Sequence, residues 1–136
     1  MNKFALRETA VANFESALNN AGMQNSYGSE DKPKYWRGDV KDVNCDLFLS
    51  YTVDEPVNLE NCDNDLFRQQ FYFSGQLFTR SGYGDADFQD LAEAIETACK
   101  NANIFIKWQG ESEDKSLDTE ATIYSIYFEA QQRLLK

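Results

Sequence analysis

The chain has 136 residues, with 13 basic and 23 acidic side chains, no histidine and a formal charge of −10. The length fits one domain over 1–136, and 10 Phe, 7 Tyr and 2 Trp supply enough large apolar groups to argue against disorder. Such acidity is unsuited to gripping nucleic-acid phosphates or anionic membrane, and the missing histidine removes the commonest general base and metal ligand.

Phe4, Val11, Phe14 and Leu18 recur at helical spacing, with Glu8, Glu15 and Asn19 off the stripe, which predicts an amphipathic helix over residues 3–21. Gly22 stands where a helix C-cap belongs. Met23 to Lys34 reads as loop, and Tyr35 to Arg37 as a short strand ending at Gly38. In the next strand, Cys45 to Val53, residues Leu47, Leu49, Tyr51 and Val53 share one face and Asp46, Ser50 and Thr52 the other. The acidic stretch 54–66, with Pro56, reads as a loop.

Phe67 to Arg80 predicts one long strand with Phe67, Phe71, Phe73 and Leu77 on a single face. At about 3.3 Å per residue it spans roughly 45 Å, well beyond a usual strand, so either Gly75 marks a bulge or bend or part of the strand projects to pair with another chain. The turn Ser81-Gly82-Tyr83-Gly84 leads to a second helix with Asp85 as N-cap, Lys100 near its end and a stripe of Phe88, Leu91, Ile95 and Ala98. Ile104, Ile106 and Trp108 alternate with Phe105 and Lys107 in a short strand, followed by an acidic loop over Gly110 to Leu117. A last long strand runs from Asp118 to about Gln131, apolar on both faces as befits a central strand, and leaves Gln131 to Lys136 unassigned. The expected fold is α+β: a mostly antiparallel sheet with two amphipathic helices packed on one side.

The three cysteines, Cys45, Cys62 and Cys99, are too few and too widely spaced for a disulfide framework or a four-ligand zinc site, and read as reduced thiols. No unbroken apolar run near Met1 resembles a secretory signal and none approaches a membrane span, which places the chain in a reducing cytoplasm.

No motif announces a chemistry. The acids from Asp85 to Glu96 superficially match a calcium loop, but Asp90 occupies the position that needs glycine. Gly82-Tyr83-Gly84 is half of a dinucleotide fingerprint without its third glycine. Paired carboxylates could serve a glycosidase-like acid and base, but among 23 acids proximity means little, and serine or cysteine nucleophiles lack their histidine. The chain therefore reads as a non-enzyme without cofactor or metal.

The charge is unevenly spread. Segments 54–66, 85–96 and 111–120 carry −5, −5 and −4, leaving +4 for the rest of the chain. Lys32, Lys34, Arg37 and Lys41 form a basic run, and Glu111, Glu113, Asp114 and Asp118 an acidic one. A solvated surface accounts for such runs; a complementary contact between copies is the sharper reading.

Three segments together resemble the tail-terminator (tail-completion) and head–tail connector proteins of long-tailed bacteriophages. They are the helix Phe4 to Ala21, the unit FRQQFYFSGQLFTRSGYGDADFQDLAEAIETACK, and the closing hairpin IFIKWQGESEDKSLDTEATIYSIYFEA. The resemblance implies a virion structural protein of the tail or neck, assembled in the host cytoplasm. It implies self-association as a ring, commonly a hexamer, with tail-tube and connector proteins as further partners. The ring would cap the tail tube and join it to the head. The rival reading is a small acidic inhibitor that mimics DNA and binds a nuclease or DNA-binding protein. A third is a small enzyme or binding domain with an aromatic pocket around Trp36 or Trp108, which requires convergent polar groups.

Overall fold

A computed structural model describes residues 3–38, 46–54, 57–58, 68–80, 85–115 and 122–135. In chain order these form α1 (Lys3–Asn20), β1 (Gln24–Asn25), β2 (Lys34–Arg37), β3 (Leu47–Val53), β4 (Val57–Asn58), β5 (Arg68–Thr79), α2 (Ala86–Asn101), β6 (Phe105–Lys115) and β7 (Thr122–Leu135). The turn predicted at 81–84, Cys45, Cys62 and most of 54–66 lie outside the described residues.

Both helices end in the same way. After α1, Gly22 takes φ +97° while Gly22 N–H bonds to Asn19 O and Met23 N–H to Leu18 O, each at 3.1 Å. After α2, Asn103 takes φ 59°, Asn103 N–H bonds to Lys100 O and Ile104 N–H to Cys99 O. These are two Schellman caps, each closed by a buried apolar residue, Met23 or Ile104. At its start α2 is capped by Asp85, whose carboxylate accepts from Asp87 N–H at 3.0 Å and from Thr79 Oγ1 at 2.9 Å.

The sheet order is β1-β2-β3-β5-β7-β6, with β4 pairing β5. β3, β4, β5, β6 and β7 pair antiparallel, but β1–β2 and β2–β3 are parallel, so the sheet is mixed. Antiparallel pairing was expected because the connections are short. β2 has only four residues, however, and the nine positions between it and β3 can return the chain to the same end. Part of the predicted 23–34 loop is in fact strand. β1 bonds to β2 through Gln24 N–H to Pro33 O and Ser26 N–H to Tyr35 O.

β5 does not project unpaired. β7 accompanies it without a register break from Arg68↔Leu135 to Thr79↔Tyr124, and β3 does so from Phe73 to Thr79. Gly75 is therefore no bulge. The irregularity lies in β6, between Trp108 and Glu111. The predicted acidic loop after Gly110 is strand as far as Lys115, because the backbone of a polar edge segment can pair with β7 while its side chains stay in water. β7 likewise extends to Leu135, and residues 131–135 are strand.

Both helices cover one face. Phe14 stacks on Phe73 (4.6 Å between centroids) and meets Tyr51 edge-on at 5.0 Å, and Phe88 meets Tyr124 at 5.2 Å. The buried stripe of α2 is Phe88, Leu91, Ile95 and Cys99; Cys99 rather than Ala98 points inward, because a straight helix drifts off an exact seven-residue repeat. Leu49, Phe71, Leu77 and Phe128 complete the core, each worth about 1.5–3 kcal/mol of burial. On the helix-free face Trp36, Phe48 and Phe78 form an aromatic ladder, with the Arg80 guanidinium 5.8 Å from the centre of the Phe48 ring. The rest of that face mixes polar residues such as Ser74, Gln76 and Ser125 with Phe105, Ile123 and Tyr127.

Candidate functional site

The runs singled out by charge sit near opposite edges of the sheet. Lys32, Lys34 and Arg37 belong to the β1–β2 edge, while Glu111, Glu113 and Asp114 belong to β6 at the other. Lys41 and Asp118 lie outside the described residues.

The basic residues do not form one patch. Strand alternation places Lys34 opposite Phe48, on the helix-free face, and Arg37 opposite Tyr51, on the helix side. Two cations already have local partners. Lys32 pairs with Glu30 at 2.9 Å, and Arg37 with Glu8 of α1 at 3.4 Å. Both pairs are exposed and so hold their side chains with at most about 1 kcal/mol.

The β6 irregularity decides where the acids go. Trp108 is opposite Phe128, and Glu111 is opposite Ile126, so Gln109 and Gly110 together face Tyr127. Simple alternation from Trp108 would have put Gly110 and Ser112 on the helix side. The extra residue instead puts Trp108, Glu111 and Glu113 there together. Asp114 lies opposite Ile123, one step out of phase with Glu113.

A groove of about 380 Å³ results between α2 and the β6–β7 pair. Its floor is Phe88, Ala92, Trp108, Tyr124 and Ile126, and its rim is Gln89, Glu93, Glu96 and Glu111. The Trp108 indole N–H donates to the Glu96 carboxylate across it, and the ring meets Phe128 edge-on at 5.9 Å. An apolar floor under three carboxylates suits a cationic side chain with an aliphatic or planar stem. The sequence places Trp108 on a strand, with a pocket around it as a third reading, and Glu93 and Glu96 in the acidic segment 85–96, without linking the two. The inserted residue in β6, which unites them, has no signature beyond Gly110.

A second hollow, of about 320 Å³, opens on the helix-free face over Ser50, Ser74, Gly75, Gln76 and Tyr127. Its lining mixes polar and apolar groups, and Glu129 is its one charged residue. Two described side chains, Cys99 and Tyr51, hold their protons tightly. Burial pushes the Cys99 thiol up to about 12, and burial followed by the 2.5 Å hydrogen bond to Glu15 raises the Tyr51 phenol. Among the described residues no group of three acids or thiols is placed to hold a metal ion, and no helix is long and apolar enough to cross a membrane.

The large apolar side chains left exposed also favour the edges. Among the described residues they are Tyr27 (94 % exposed) in the β1–β2 loop, Phe105 (66 %) at the start of β6, and Tyr127 (42 %) on the neighbouring β7.

No family model matches the chain, and no curated protein does. Among solved structures, the type 4 fimbrial biogenesis protein PilO from Pseudomonas aeruginosa aligns at 9 % identity and a TM-score of 0.28. The alignment spans 63 % of this chain and 58 % of that one, a partial likeness that carries no functional argument.

Proposed function

We propose that this chain is a non-catalytic virion structural protein of a long-tailed bacteriophage. It is a tail terminator or an adjacent head–tail connector, and it acts as a homo-oligomeric ring that caps the tail tube and joins it to the head. The observation that carries the reading is the pair of unlike sheet edges. One presents Lys34, Arg37 and Tyr27, the other Phe105 and an acidic, tryptophan-floored groove. Unlike, complementary edges favour head-to-tail contacts, and head-to-tail contacts close into rings when the rotation between neighbours closes. The resemblance of the helix, strand–turn–helix unit and closing hairpin supplies the kind of ring. The nearly uncharged hollow on the helix-free face suits a body past which DNA slides without sticking.

Mass photometry and sedimentation of the purified chain, alone and with isolated tail tubes, test this. A closed species is expected, about 94 kDa for a hexamer of the 15.6 kDa chain, bound at one tube end. A monomer that ignores tube ends overturns it. One observation favours the DNA-mimic alternative: Asp87, Asp90, Glu93 and Glu96 are exposed at every third position of α2. That reading expects a monomer with tight, salt-sensitive 1:1 binding to a basic DNA-binding protein instead.

A further inference from the structure

One row of paired residues crosses the sheet from edge to edge. Arg37 is opposite Tyr51, Tyr51 opposite Gly75, Gly75 opposite Phe128, and Phe128 opposite Trp108. Arg37 and Trp108 thus stand at the same height on opposite sides of the subunit. Among the described residues β2 is itself the edge at the Arg37 level, since the last β1 pairing is Asn25↔Tyr35. Arg37 lies on the helix side, where its guanidinium meets Glu8, and the groove floored by Trp108 opens on the same side.

We infer that Arg37 of one copy docks in the groove of the next, against the Trp108 ring and between the carboxylates of Glu96 and Glu111. This contact rests on the ring reading above and specifies its interface. Four observations favour a second copy as the occupant. β6 runs antiparallel to β2, so the two edges of neighbouring copies meet as antiparallel strands when the subunits share one orientation. Their matching heights let this happen without a shift along the strands. The chemistry fits, because a planar guanidinium stacks on an indole and takes carboxylates at its rim, which an ammonium does less well. Like-with-like pairing is disfavoured: two β6 edges would oppose the Glu111 and Glu113 carboxylates, and two β2 edges would oppose cations. The exposed Glu8 pair holds Arg37 only weakly and yields it to a better site.

The experiment is sedimentation velocity on the full chain at low salt, up to roughly 100 μM. Arg37→Glu and Glu111→Arg each weaken association at least about tenfold, Arg37→Lys weakens it less, and the combined exchange Arg37→Glu with Glu111→Arg restores it. Lys32→Glu, the same charge change on the same edge, leaves it within about twofold. All these side chains are exposed, and unchanged thermal melts of the variants show that folding is intact. If the wild type forms its ring and these variants form it equally well, or if the exchange fails to restore it, the Arg37 contact is wrong and the ring reading stands. A wild type that remains monomeric overturns the Arg37 contact, and one that also ignores tail-tube ends overturns the ring reading.

Discussion

Gly75 in β5 lies directly opposite Tyr51 in β3, and the backbones approach so closely that a Cβ on Gly75 would sit 1.9 Å from Ser50 O and 2.8 Å from Tyr51 Cα. The contacting atoms belong to the backbone of a neighbouring central strand, so no side chain can swing away. Alanine normally gains about 0.5–1 kcal/mol over glycine in a strand. Here overpacking of about 1–3 kcal/mol or more outweighs that gain. Gly75→Ala is expected to lower the unfolding free energy by a net of about 1–2 kcal/mol, read as a lower urea midpoint with the slope unchanged. A variant as stable as the wild type would show that the strands part freely at this point.

The paired helix caps give a second expectation with opposite signs. Gly22, at φ +97°, has open space around a would-be Cβ, so only the backbone conformation opposes a side chain. Gly22→Ala should cost about 1–2 kcal/mol. Asn103 already tolerates its left-handed backbone at φ 59°, and Asn103→Gly should be neutral or gain up to about 1 kcal/mol. Thermal denaturation of the two variants checks this, and equal effects of the same sign would contradict it.

Alkaline pH should destabilise the fold. The Cys99 thiol rises from its ordinary 9.0 to about 12 through burial, and the Tyr51 and Tyr35 phenols are also raised, chiefly by burial. A raised folded pKa means that the native state keeps a proton which the unfolded chain has released. For Cys99 the stabilisation is complete below pH 9 and is lost as pH climbs from 9 towards 12, at about 1.4 kcal/mol per unit for one proton. Urea titrations at pH 8 and pH 10 should show the loss, and Cys99→Ala should show a shallower pH dependence than the wild type. Identical slopes in the two proteins would remove Cys99 from the account.

Much of this was legible before the fold was known. The caps at Gly22 and Asp85, the stripe Phe88, Leu91 and Ile95, and the alternation of Leu49 and Tyr51 are written in neighbouring residues, because capping and periodicity act over one to four positions. Gly75 stands out as a candidate bulge or bend, but its actual role, a close approach of backbones, depends on Ser50, 25 positions away. The site was less legible. Lys32, Lys34 and Arg37 are close in sequence yet divide between two faces, whereas Glu96, Trp108 and Glu111 come from two elements and meet in one groove.

The division follows from the range of the forces. By itself the sequence determined the two helices with their caps, the strand segments with their inward faces, and the separation of acidic from basic charge, since each is a local property or a count. Only the tertiary structure decided that β1, β2 and β3 run parallel, that the polar segment after Gly110 is strand, and that one extra residue in β6 turns Glu111 and Glu113 to the helix side. Pairing direction and register depend on which backbone groups meet across long stretches of chain. That same register sets Arg37 and Trp108 level at opposite edges.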